Sequence, residues 1–106
     1  MPNLFTRGTT ATISITVEGY EPDEIEKLYF TVKQGNVNYT KTLDDEAIKV
    51  KNNVISLTLT EAETLSFSTD GYIEAQIRGV KKDGSVFATA IDKYRANRIL
   101  YDVAIS

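Results

Sequence analysis

The chain has 106 residues, 42% of them hydrophobic, a formal net charge of -3, and neither cysteine nor histidine. That length holds one domain with a core of its own, and the missing residue types exclude disulfides, the usual zinc sites and nucleophile systems built on histidine. Acids and bases are interspersed along the chain, which argues against nucleic acid as a partner, since that needs a concentrated basic face.

Residues 1–10, MPNLFTRGTT, carry an apolar pair in Leu4 and Phe5 and a bend at Gly8, the pattern of an extended arm either pinned to a sheet edge or left free. Over 12–17, Ile13, Ile15 and Val17 alternate with Thr12, Ser14 and Thr16, the period of a strand with one buried face. Residues 18–26 read as an acidic turn broken by Gly19 and Pro22, with Ile25 as its aliphatic anchor. The next strand, 27–34, sets Leu28, Phe30 and Val32 inward. A Gly35-Asn36 turn leads from it to a strand over 37–43. Lys41 falls in the apolar phase of that strand, which predicts an exposed sheet edge, where a charge discourages further pairing. Residues 47–50 have the length of a short strand before a turn at Lys51-Asn52-Asn53.

The stretch 52–80 organises the rest. Ile55, Leu57 and Leu59 alternate with Ser56, Thr58 and Thr60, and then Thr60 and Glu63 stand three apart, so each side chain can satisfy a free backbone N–H at the start of a helical turn. Leu65 and Phe67 tuck that turn under the core, and 68–71 reverse the chain. Alternation resumes with Ile73, Ala75 and Ile77 against Glu74, Gln76 and Arg78. A strand, a capped turn crossing over and another strand is how immunoglobulin-like sandwiches pass between sheets; the other reading is a plain hairpin with a long loop.

Asp83-Gly84 predicts a further hairpin. Residues 86–91 are apolar in both phases, as expected of a strand covered on both sides. Residues 94–98 read as a polar break, and Ile99, Tyr101, Val103 and Ile105 alternate as a final strand. The fold class expected is therefore all-β: an immunoglobulin-like antiparallel β-sandwich of about seven strands, with one short helical turn near 61–66, in a single domain over 1–106.

Two carboxylate clusters, Asp44-Asp45-Glu46 and Glu21/Asp23/Glu24, could be imagined on a calcium ion, but neither has the alternating spacing of a calcium loop and solvated acidic turns are the commoner case. Glu61 and Glu63 could be imagined as an acid and base pair; capping already accounts for Glu63. No catalytic residue, cofactor or metal is expected. The best interaction group is Tyr94, Arg95, Arg98 and Tyr101, since Tyr and Arg dominate protein contacts. Tyr94 and Arg95 fall on opposite faces if the strand continues, and the alternative is a solvated strand end. No apolar run reaches the roughly 20 residues that cross a bilayer, and residues 1–10 lack the regions of a signal peptide, so neither membrane nor export is expected.

The FTRGTT segment at Phe5, the LTEAET segment at Leu59, the EAQIR strand at Glu74 and the KDGSVFAT hairpin at Lys82 together resemble small prophage-encoded proteins of Gram-positive, gut-type bacteria. More distantly they resemble the immunoglobulin-like N-terminal domain of upper baseplate proteins in tailed phages. The resemblance implies a non-enzymatic virion or tail-associated module, found in the virion or in the host cytoplasm during assembly. It would dock on itself or on other virion proteins, as a possible homo-oligomer. Ala62 stands where a more polar residue is expected, and the long extension of larger baseplate proteins does not appear. The alternative function is a small carbohydrate-binding or adhesion module that stacks Tyr20, Tyr29, Tyr39, Tyr72, Tyr94 or Tyr101 on a sugar ring.

Overall fold

Alternating β-branched and polar residues give this chain extended segments with one greasy face each, and the fold is the pairing that hides those faces. The computed structural model describes residues 3–17 and 24–105. Among these residues the order is β1 Asn3–Thr6, β2 Ala11–Thr16, β3 Ile25–Gln34, β4 Val37–Thr42, β5 Ile48–Lys51, β6 Val54–Leu59, α1 Glu61–Leu65, β7 Ile73–Lys81, β8 Val86–Ala88 and β9 Asp92–Asn97. The larger sheet runs β1-β9-β7-β3-β4 with β8 also on β7, and the smaller runs β2-β6-β5. The two layers and the crossing from β6 to β7 through α1 give the order of an immunoglobulin-like sandwich. The hairpin alternative for 52–80 is thereby set aside, because β6 pairs β2 and β5 while β7 pairs β3, β8 and β9.

The core lies between the layers. Ile13, Ile15, Ile55, Leu57 and Leu59 of the smaller sheet meet Leu28, Phe30, Val32, Ile73 and Ile77 of the larger. Full burial of each such side chain contributes about 1.5–3 kcal/mol relative to leaving it exposed. One end is closed by Phe67, whose ring receives Phe5 and Tyr39 edge-on, with centroids 6.0 and 5.8 Å away.

Turn chemistry sets the registers. Gly35 takes a φ of 57° in the two-residue β3–β4 loop, where Gln34 pairs Val37. At α1 both halves of the capping box are present: Thr60 Oγ1 accepts the Glu63 N–H at 3.2 Å and Glu63 Oε1 accepts the Thr60 N–H at 2.8 Å. Thr64, fully buried, donates its hydroxyl to Thr9 O at 2.8 Å and so ties the helical turn to the β1–β2 loop.

Several expectations need correction. The arm 1–10 is pinned over its described part: β1 pairs β9 in parallel, so the larger sheet is mixed rather than antiparallel throughout. The supposed polar break at 94–98 is mostly strand, because β9 continues to Asn97 and turns Tyr94 and Ala96 inward. Residues 99–105 form no strand. β7 and β1 already occupy both edges of β9, so this segment instead passes the β1–β2 loop, held by Arg7 to Asp102 at 2.7 Å and by the Ile105 N–H to Glu61 Oε2 at 2.9 Å. The strand expected at 86–91 is cut to β8, and it is covered on one side only, leaving Val86 63% and Ile91 51% exposed. Of the acidic turn expected over 18–26, residues 18–23 lie outside the described residues, and Ile25 and Glu26 already belong to β3, with Ile25 buried. Lys41 does sit on the edge strand β4, where its ammonium meets Glu63 at 3.1 Å.

Candidate functional site

The side of the larger sheet turned away from the core carries the candidate site. Alternation on β3 puts Tyr29, Thr31 and Lys33 there, and on β7 it puts Glu74, Gln76 and Arg78 beside them. These residues, with Val80, Val86 and Ile91, line a cleft of about 490 Å3. Its shape comes from an interruption in the last strand position. β8 pairs β7 at Arg78 to Val80 and β9 pairs it at Ile73 to Ala75, on the same side of β7. Between them Thr89 keeps one backbone bond, its N–H to Ile77 O at 2.9 Å, while its Oγ1 accepts the Ile77 N–H at 3.1 Å and its carbonyl accepts Gln76 Nε2 at 2.9 Å. That detour carries Ile91 out onto the face.

The cleft is lined by apolar Tyr29, Val80, Val86 and Ile91 together with charged Lys33, Glu74 and Arg78, Arg78 lying across from Tyr29 on the neighbouring strand. Large apolar side chains mixed with Arg and other polar groups on one exposed face are the materials of a protein contact. Among the described residues no three carboxylates converge as metal ligands. Asp45 instead accepts the Ala47 N–H in its own turn at 2.8 Å, and Glu21 and Asp23 lie outside the described residues. Glu61 and Glu63 are both engaged structurally, the first by the Ile105 N–H and the second by the cap and Lys41.

Tyr94, Arg95, Arg98 and Tyr101 are not brought together as one patch. Tyr94 is 6% exposed and faces the core, while Arg95 stands on the opposite side of β9. Arg95 and Lys93 both approach the Tyr72 ring, at 5.0 and 5.3 Å from its centroid. Arg98 lines a separate shallow hollow with Arg7, Ser68 and Asp102, and Tyr101 is exposed in the segment after β9. The described tyrosines are dispersed: Tyr39 gives its hydroxyl to Ser66 Oγ at 2.7 Å, and only Tyr29 lies in the cleft.

Sequence reasoning names Tyr29 only as a sugar-stacking candidate and misses Val86 and Ile91. The signal was present, because an apolar residue in the polar phase of β3 and a run apolar in both phases are also the marks of an exposed greasy patch. The run reads equally as a doubly covered strand, and nothing in its periodicity distinguishes the two. No family model matches this chain, and no curated protein sequence matches it.

Proposed function

We propose that the chain is a non-enzymatic assembly module of a tailed-phage particle, docking other virion proteins through the outer face of its larger sheet. The observation that supports this most is the cleft, where Tyr29, Val86 and Ile91 expose large apolar surface on a sheet face with nothing laid over it among the described residues. The phage context rests on the resemblance of the FTRGTT, LTEAET, EAQIR and KDGSVFAT segments. The absence of histidine and cysteine supports a role in contact rather than chemistry.

Capture of virion proteins encoded beside this chain, with the purified chain as bait, tests the reading. Retention of at least one of them, and presence of the chain in purified particles, is the expected result. Absence from particles together with no capture overturns it. The carbohydrate alternative requires at least two exposed tyrosines side by side, and the dispersal of the described tyrosines favours the protein contact.

A further inference from the structure

The smaller sheet ends on β2, and that edge differs from the other sheet edges. Val17 N–H donates to Asn53 O at 2.7 Å, so antiparallel alternation points the backbone groups of Ile13 and Ile15 at β6 and those of Thr12, Ser14 and Thr16 away from it. The opposite phase holds on β6, where the Thr58 N–H donates to Ala47 O at 2.9 Å towards β5. Among the described residues no strand pairs with the outward side of β2. Its sequence is ATISIT: six residues without a charge or a proline, three of them exposed hydroxyl side chains.

Proteins guard open edges with charge, brevity or a bulge. Here β5 carries Lys49 and Lys51, β4 carries Lys41, and β1 has four residues. β2 alone among these is long, neutral and rich in β-branched residues. We propose that the β2 edge pairs with the β2 edge of a second copy of this chain, antiparallel about a two-fold axis at Ser14. In that register Thr12 faces Thr16 of the partner, and the two smaller sheets become one continuous sheet.

A second copy is the occupant that the edge suits. Its own sequence presents no like charges across the dyad, whereas pairing β5 with itself would oppose lysines. The hydroxyl row is already made for cross-strand contact: Ser14 Oγ lies 2.8 Å from Ser56 Oγ, and Thr12 Oγ1 lies 3.3 Å from Thr58 Oγ1. An uncharged row offers nothing that would select a foreign acidic or basic strand. A two-fold pairing also consumes both edges and stops at two copies. The pairing adds to the assembly role proposed above and uses the other sheet, so the two can fail separately.

The test is the solution mass of the full chain across a concentration series, by sedimentation or light scattering, for wild type, Ser14→Pro and Ser14→Lys. Proline at Ser14 removes an N–H that points out of the sheet, so the ladder to β6 is kept while the intermolecular one is lost. Lysine leaves the backbone intact and sets two ammonium groups across the dyad. The expected result is a wild-type dimer whose dissociation constant rises roughly tenfold or more in each folded variant. If proline perturbs the circular dichroism spectrum, the lysine variant carries the comparison. A wild type that stays monomeric at about millimolar concentration, where a contact of roughly 4 kcal/mol would already show as dimer, overturns the pairing. So does a dimer that the lysine variant leaves unchanged. A monomeric Ser14→Lys chain that still captures a virion protein separates this edge from the outer face.

Discussion

Gly79 lies on the inward phase of β7, directly across from Phe87 of β8. A Cβ built there would stand 2.6 Å from the Phe87 ring and 2.8 Å from the Lys27 carbonyl oxygen, one of which is backbone and cannot swing aside. Gly79→Ala is therefore expected to destabilise the fold by about 1–3 kcal/mol through overpacking, read as a lowered thermal midpoint. A midpoint equal to wild type would show that β8 yields freely at this position. The β7–β8 turn offers a second measurement at the scale of single residues. Asp83 Oδ1 accepts the Ser85 hydroxyl at 2.6 Å and the Ser85 N–H at 2.9 Å, and these bonds, the hydroxyl first, hold the Asp83 carboxyl below its ordinary value. A lowered carboxyl pKa favours the folded state above the ordinary carboxylate range, and the contribution is lost as pH falls through the lowered value. In Ser85→Ala the Asp83 carboxyl is expected to titrate at higher pH, followed by the shift of its carboxyl carbon in an NMR titration. An unchanged titration would mean that the backbone N–H and Lys81 suffice.

At the scale of elements, α1 is too short to persist on its own helix propensity, and it is held by its cap, by Thr64 and by Arg7. The Arg7 guanidinium donates to Leu65 O and Phe67 O at 2.7 and 2.6 Å, satisfying the carbonyl of the last helical residue and one just beyond it. Thr60→Ala removes the acceptor for the Glu63 N–H and is expected to cost about 1 kcal/mol. Urea titration checks this: a lower midpoint at unchanged slope is the expected form, and no shift would mean that Arg7 and Thr64 hold the turn alone. This element was legible in the sequence because its determinants are local, a hydroxyl and a carboxylate three residues apart. The strands β2, β3, β6 and β7 were legible for the same kind of reason, since each buries every second residue. The end of the chain was not. Ile99, Tyr101, Val103 and Ile105 keep a strand's period, but periodicity states which face would be buried and says nothing about which edge is open. The parallel docking of β1 had already used the edge of β9. Asp92 to Asn97 was missed for the converse reason: a strand that turns Lys93, Arg95 and Asn97 outward and starts on half-buried Asp92 looks like a loop until Tyr94 and Ala96 are seen to share a buried phase. The grouping of Tyr94 with Arg95 failed with it, because neighbours along a strand point apart.

At the scale of the whole molecule, one layer's outer face is polar and the other's is partly greasy. The smaller sheet turns Thr12, Ser14, Thr16 and Thr58 outward, whereas the larger turns out Tyr29 and, beside the interrupted strand, Val86 and Ile91. Such a difference costs solubility unless something covers the second face, and a partner protein is the proposed covering. Ile91→Asp and Val86→Asp place a carboxylate where desolvation on docking would be costly, while both positions are exposed enough in the free chain that stability is expected to stay within about 0.5 kcal/mol of wild type. Lys49→Glu, a charge change on β5 of the opposite sheet, serves as the control. Capture of the proposed virion partner is expected to weaken at least roughly tenfold in the two aspartate variants, about 1.4 kcal/mol, and to be unchanged in the control. If all three variants capture equally well, the cleft is not the contact and the assembly role must be sought at the sheet edges. If the control weakens capture as much as the aspartates do, the contact is steered by charge over the whole surface, and the outer face of the larger sheet loses its special place.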